Sequence, residues 1–171
     1  MRNLLFVLSG PSGVGKGTIA KILDEKDSVA LSISCTTRLP RNGEINGVHY
    51  FFIEKEEFQN RIKNGAFLEY SEHFGNFYGT LREFVTEKLK EKDVLLEIDV
   101  NGALEVKKSY PEAVLIMVTP PSIEELKNRL IGRGTETLEK IEERIQRVEY
   151  ELEKQSEYDY VVVNDSLYEV L

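Results

Sequence analysis

Cysteine is almost absent from this chain. Cys35 is the only one, so no intrachain disulfide can form, and it reads as a small packed residue rather than a nucleophile. Histidine is scarce too: His49 and His73 stand alone, and without a Cys/His cluster a structural zinc site has no ligand set. Both histidines are expected to be structural or solvent-facing. No apolar run is long enough to span a membrane, since residues 1–8 hold one charge and a short apolar stretch with no small-residue cleavage site after it. The expectation is a buried first strand in a cytoplasmic protein without a membrane partner. A basic excess is missing as well. The net charge is −8, and binders of polymeric nucleic acid are usually basic. An acidic chain can still bind phosphates where its few cations converge, so their placement becomes the question.

What is present suits one globular domain with a small inserted module: 171 residues, 41% hydrophobic and 30% charged. Leu4-Leu5-Phe6-Val7-Leu8 is a continuous apolar run, the mark of a strand covered on both faces. Val94-Leu95-Leu96, Val114-Leu115-Ile116-Met117-Val118 and Tyr160-Val161-Val162-Val163 read as further buried strands. Helical stretches alternate with them, which predicts an α/β fold with a parallel sheet flanked by crossover helices.

Two regions break the rhythm. Residues 34–82 are richer in aromatics and glycine and predict a small mixed α/β insertion, with Val48-His49-Tyr50-Phe51-Phe52-Ile53 as a strand and Lys55–Lys63 as a short helix. Residues 122–155 predict a helical hairpin. It opens on the capping box Ser122-x-x-Glu125, breaks near Gly134 and restarts at Thr137. Ile141, Ile145, Val148 and Leu152 then form one apolar stripe. The core is expected to comprise residues 1–33, 83–121 and 156–171. Ser166-x-x-Glu169 is a second capping box close to Leu171. It predicts either a packed stub or a missing final helix, and an apolar groove left by the latter would permit a homodimer in place of a monomer.

Gly10-Pro11-Ser12-Gly13-Val14-Gly15-Lys16-Gly17-Thr18 lies between a buried strand and a helix, the context a P-loop requires. Its glycines let successive backbone N–H groups turn toward phosphate oxygens, and the helix amino end adds partial positive charge. Lys16 supplies a mobile full charge for β- and γ-phosphates. Gly17 stands where a magnesium-binding hydroxyl is usual, with Thr18 one step later. Mg²⁺ is therefore expected to be held through waters and nucleotide phosphates, with no direct protein ligand assigned.

The insertion narrows the choice. Ser34-Cys35-Thr36-Thr37-Arg38-Leu39-Pro40-Arg41 is followed by Gly47-Val48-His49-Tyr50-Phe51-Phe52, then Phe67-Leu68-Glu69-Tyr70, then Gly75-Asn76-Phe77-Tyr78-Gly79-Thr80. This ordered series resembles the GMP-binding region of guanylate kinases, and the resemblance extends to Asn164. It implies a P-loop nucleoside kinase fold and transfer of the γ-phosphoryl of ATP, with Mg²⁺, to GMP. It further implies that Arg38 and Arg41 grip the GMP phosphate with the hydroxyls of Tyr50 and Tyr78. Glu69 would accept from guanine N1–H and the exocyclic amine, Ser34 and Thr80 would complete the base contacts, and Asp99 would lie at the floor near Arg38. Adenine lacks both donors, so losing two charge-assisted bonds costs about 3–6 kcal/mol, roughly a 10²- to 10⁴-fold discrimination. Taken singly, each residue has a plainer reading: half-buried sheet aromatics, surface arginines, a solvated carboxylate. Glu97-Ile98-Asp99 departs from the family, which usually has Asp at both acidic positions.

Gly132-Arg133-Gly134-Thr135-Glu136 is similar to the lid of these kinases. The likeness implies that Arg133 and Arg144 close on the transferring phosphoryl, that Arg129 serves the ATP side, and that Asn164 falls where adenine is contacted. The Glu136–Lys140 and Glu143–Arg147 spacings instead predict i, i+4 pairs on a solvated helix, and Arg147 is assigned to the latter. The rival functions are a non-catalytic guanylate-kinase-like binding module, disfavoured by the intact Lys16 loop, and a kinase of another small phosphate acceptor, disfavoured by Glu69 and Ser34. A GTPase would need an Asn-Lys-x-Asp type motif that the chain lacks.

Overall fold

The computed structural model describes residues 2–11, 13–27 and 29–165. The second capping box, Ser166-x-x-Glu169, lies outside the described residues. The first apolar run forms β1 (Leu5–Ser9), which leads through the glycine-rich loop into α1 (Lys16–Glu25) and then β2 (Ala30–Leu31). The inserted region follows as β3 (Cys35–Thr36), β4 (Phe51–Phe52), α2 (Lys55–Lys63), β5 (Phe67–His73) and β6 (Asn76–Leu81). The chain continues with α3 (Arg82–Leu89), β7 (Val94–Glu97), α4 (Val100–Ser109) and β8 (Val114–Thr119). The helical hairpin α5 (Ile123–Arg133) and α6 (Leu138–Glu153) precedes a 3₁₀ turn at Lys154–Glu157 and β9 (Tyr160–Val163).

Two sheets result. The larger has strand order β2-β7-β1-β8-β9 and is parallel throughout, with β1 flanked by β7 and β8. Leu5, Val7, Val94 and Leu96 pack on one face with Val85 of α3 and Ala103 and Val106 of α4. Leu8, Leu95 and Val118 pack on the other with Ala20 of α1. Covering on both faces is why these strands are unbroken apolar runs rather than alternating ones. The smaller sheet has order β4-β3-β6-β5, with β3 and β4 parallel and the rest antiparallel. Phe58 of α2 stacks on Phe67 and Phe77 beneath it.

The hairpin α5–α6 obeys its local signals. Ser122 Oγ accepts from Glu125 N at 3.0 Å, Gly134 ends α5 in the left-handed conformation, and Thr137 Oγ1 accepts from Lys140 N at 3.3 Å. Among the described residues, no helix is long and apolar enough to cross a membrane.

Three expectations are corrected. The run Val48 to Ile53 is not one strand: only Phe51–Phe52 pairs as β4. Val48 and His49 both donate backbone N–H to Ile45 O, and His49 Nδ1 accepts from Ile45 N, so the chain is turning there. The β9 strand is not buried, for all four of its residues are exposed at the sheet edge. The lid ion pairs also differ. Glu136 precedes the cap Thr137 and so is off the helical register, and it pairs with Arg144 at 2.5 Å instead of Lys140. Arg147 reaches toward the buried Glu151 at 3.2 Å instead of Glu143.

The β5–β6 turn places Phe74 at φ 51° and Gly75 at φ 80°. Two positive φ values define a turn that asparagine suits at the first central position and phenylalanine does not. Phe74→Asn should therefore raise stability by about 1 kcal/mol, or Tm by about 2–4 °C. A calorimetric Tm at or below the parent value would show that Phe74 carries no strain.

Candidate active site

The loop after β1 leaves between its two neighbours. Gly10 has φ 148°, and a Cβ there would meet Val118 O at 2.2 Å, so only glycine lets the loop pass against β8. Gly13 and Gly15 follow with φ of 84° and 88°. Ser12 lies outside the described residues. Lys16 opens α1, whose amino end has no side-chain cap, leaving N–H groups for a ligand. Asn164 Nδ2 donates to Val14 O at 2.9 Å, tying the loop to the end of β9. Its observed partner is thus the P-loop backbone.

Beside the loop lies a cleft of about 450 Å³, lined by Ser34, Arg41, Tyr50, Glu69, Ser71, His73, Phe74, Tyr78, Gly79, Glu97, Ile98 and Asp99. That volume suits a small ligand. Five elements meet here, one of them the segment before β3, which brings Ser34. β5 and β6 bring Glu69 and Tyr78, the loop before β4 brings Arg41 and Tyr50, and the carboxyl end of β7 brings Glu97 and Asp99. Thr80 stands behind Glu69, its hydroxyl donating to Glu69 Oε1 at 2.8 Å. Asp99 caps α4 by accepting from Gly102 N at 2.7 Å.

Glu69 is 8% exposed. Burial raises its pKa to about 7, the Thr80 hydrogen bond opposes the rise, and the Asp99 charge adds to it. Gly102 packs below: a Cβ there would lie 3.2 Å from Glu69 Oε2.

Arg38 does not line the cleft. Its Nη1 and Nη2 donate to Glu44 Oε1 and Oε2 at 2.8 and 3.0 Å, and its guanidinium lies 5.2 Å from the centre of the Tyr50 ring. Glu44 also accepts from Arg41 N at 2.7 Å. These hydrogen bonds, first that of Arg38, lower the Glu44 pKa to about 2.

Arg129, Arg133 and Arg144 stand on the helical hairpin, outside the cleft lining. Arg129 pairs with Glu125 at 2.8 Å. Arg144 lines a smaller cavity of about 180 Å³ with Leu126, Leu130, Arg147, Val148 and Glu151. Burial raises the pKa of Glu151, while the charges of Arg147 and Lys16 oppose it, so the hairpin is electrostatically linked to the P-loop lysine.

Among the described residues, no three His, Cys, Asp or Glu side chains gather to hold a metal ion. Glu97 Oε1 lies 3.8 Å from where a Cβ of residue 17 would be. Carboxylates at the loop's edge fit a cation that keeps much of its water shell, as Mg²⁺ does.

The guanylate kinase family model matches residues 2–171. A guanylate kinase of Listeria monocytogenes is 54% identical over 167 residues, covering 96% of this chain and 82% of that protein. One from Clostridioides difficile is 52% identical over 168 residues, with coverage of 97% and 82%. The chain belongs to the guanylate kinase family. A crystal structure of guanylate kinase from Anaplasma phagocytophilum has a TM-score of 0.71 at 34% identity, covering 98% of this chain and 80% of that one.

Sequence reasoning missed three features in and around the cleft of this guanylate kinase family member. Glu44 carries a signal, a carboxylate three residues after Arg41. Gly102 carries another, at cap spacing after Asp99. His73 and Ser71 show theirs only once β5 is in register with Glu69.

Glu69 predicts a pH dependence of stability. Its folded pKa of about 7 exceeds the ordinary 4.5. Its contribution is therefore fully present below pH 4.5 and lost as pH rises through 7, by about 3 kcal/mol. Chemical denaturation from pH 4.5 to 8 should show the parent losing stability relative to Glu69→Gln. Parallel curves would mean that Glu69 ionises normally.

Proposed function

We propose that this protein transfers the γ-phosphoryl group of Mg-ATP to GMP, releasing ADP and GDP, in the cytoplasm. The observation that carries the reading is the buried carboxylate of Glu69, backed by Thr80, at the base of a cleft that opens beside the P-loop. Guanine presents N1–H and an exocyclic amine side by side, and one ionised carboxylate accepts both. Burial makes the match selective, because a buried carboxylate left without donors remains unsatisfied.

Ser34 and Thr80 complete the base contacts in this reading, and Asp99 orients the floor of the cleft through its cap on α4. Arg41, Tyr50 and Tyr78 hold the GMP phosphate, joined by Arg38. Glu44 accepts one hydrogen bond from each terminal nitrogen of Arg38, and Leu39 O accepts a second from Nη1. The remaining N–H groups interact with the Tyr78 and Tyr50 hydroxyls, which would set these three side chains together on a phosphate.

The P-loop N–H groups and Lys16 hold the ATP phosphates. An ionised GMP phosphate oxygen attacks the γ-phosphorus in line as the bond to the β–γ bridging oxygen breaks, and ADP leaves with that electron pair. No general base is needed, because the attacking oxygen carries no proton. Glu97 and Asp99 would orient the waters of Mg²⁺, which would supply charge neutralisation to the nucleotide phosphates. Arg133 and Arg144 come onto the equatorial oxygens when the α5–α6 hairpin closes, with Arg129 on the ATP side. Closure requires Arg144 to exchange Glu136 for phosphate.

A coupled ADP-release assay with Mg-ATP against GMP, AMP, CMP, UMP and no acceptor tests this reading. Fast release with GMP alone is expected. Lys16→Ala should abolish turnover in a folded protein, and Glu69→Ala should raise KM for GMP by roughly 10²-fold or more. Release with another acceptor, or none from protein that still binds GMP, would overturn the assignment.

A further inference from the structure

Successive side chains of a strand face opposite sides, so Glu69, Ser71 and His73 share one face of β5. Their partners on β6 are Thr80, Tyr78 and Asn76. Glu69, Ser71, His73 and Tyr78 all line the cleft. Along this face the base-reading carboxylate comes first and the phosphate-gripping Tyr78 second. His73 comes third, about 7 Å further on. It therefore stands at the phosphate end of the cleft, next to the carboxyl end of β7.

His73 is held in place. Its Nε2 lies 3.0 Å from Ser71 Oγ and 3.9 Å from Asp99 Oδ2, and its ring packs 5.8 Å from that of Tyr78. Nδ1 has no bond to any described residue. The charged and titratable groups that line the cleft with it are Glu69, Tyr50, Tyr78, Glu97, Asp99 and Arg41. Arg41 faces three carboxylates in this lining, so a phosphate gains from each further donor there.

We propose that His73 is a further substrate-binding residue, donating from Nδ1 to the acceptor phosphate while Ser71 and Asp99 hold Nε2. The proposal rests on reading the cleft as a GMP pocket. If Nε2 accepts from the Ser71 hydroxyl, the lone ring proton sits on Nδ1 and serves the phosphate. If both nitrogens are protonated, Nε2–H serves Asp99 and Ser71 and Nδ1–H serves the same oxygen. Both forms present the same donor, and phosphate binding selects them over the neutral form protonated on Nε2 alone, whose Nδ1 only accepts.

Calorimetric titration with GMP and with guanosine tests the assignment, using His73→Ala, His73→Phe and Glu69→Gln. Phenylalanine keeps the ring packing on Tyr78 and removes both nitrogens. Both His73 variants should bind GMP roughly tenfold more weakly and guanosine unchanged, and the KM for GMP should rise while that for ATP stays put. Parent-like GMP binding in His73→Phe would overturn the proposal, as would equal losses for GMP and guanosine. Glu69→Gln should weaken both ligands. If it weakens neither, the base pocket reading fails instead, whatever His73 does.

Discussion

A Cβ at position 10 would lie 2.2 Å from the carbonyl oxygen of Val118, so the chain leaving β1 runs against β8 with no room for a side chain. The rest of the site hangs on that approach. It sends the loop over the carboxyl end of the parallel sheet, where strand ends and helix starts leave backbone groups for ligands. Asn164 then fixes the loop from the far side through Val14 O, and its own N–H is held by Thr119 O. Lys16 is thus positioned by the backbone packing at Gly10 and by the Asn164 amide on Val14 O.

The second constraint is charge. The chain is acidic overall, and the cleft carries three carboxylates: Glu69, Glu97 and Asp99. Each is managed differently. Glu69 is buried and backed by the Thr80 hydroxyl, so its charge, when present, faces a paired donor rather than the cleft at large. Asp99 is partly occupied by capping α4. Glu97 stands beside Gly17, where the missing hydroxyl leaves space. The cations are restrained in turn: Glu44 fixes Arg38, and Glu136 holds Arg144 on the hairpin.

Much of the fold was legible because its signals are local. Strand β1 and its glycine-rich loop, helix α2, the caps at Ser122 and Thr137 and the stop at Gly134 each follow from residues within a few positions. The failures share a cause as well. The apolar run of β9 says strand but cannot say whether anything covers it. The pairing of Glu136 depended on where α6 begins, which a spacing rule assumes in advance. At Val48 and His49, side-chain bonding to Ile45 N turned a β-favouring segment aside.

The amino-acid sequence by itself determined the phosphate loop, the alternation of strands and helices, and the ordered residues that resemble a nucleotide-binding series. Those are chemistry written at fixed spacing along the chain. Tertiary structure alone decided that Glu69 is buried against Thr80 and Gly102, that Glu44 pairs with Arg38 beside Tyr50, and that His73 faces the cleft with Glu69. Burial, register across a sheet and competition among charges depend on residues far apart in the chain, so no local pattern encodes them.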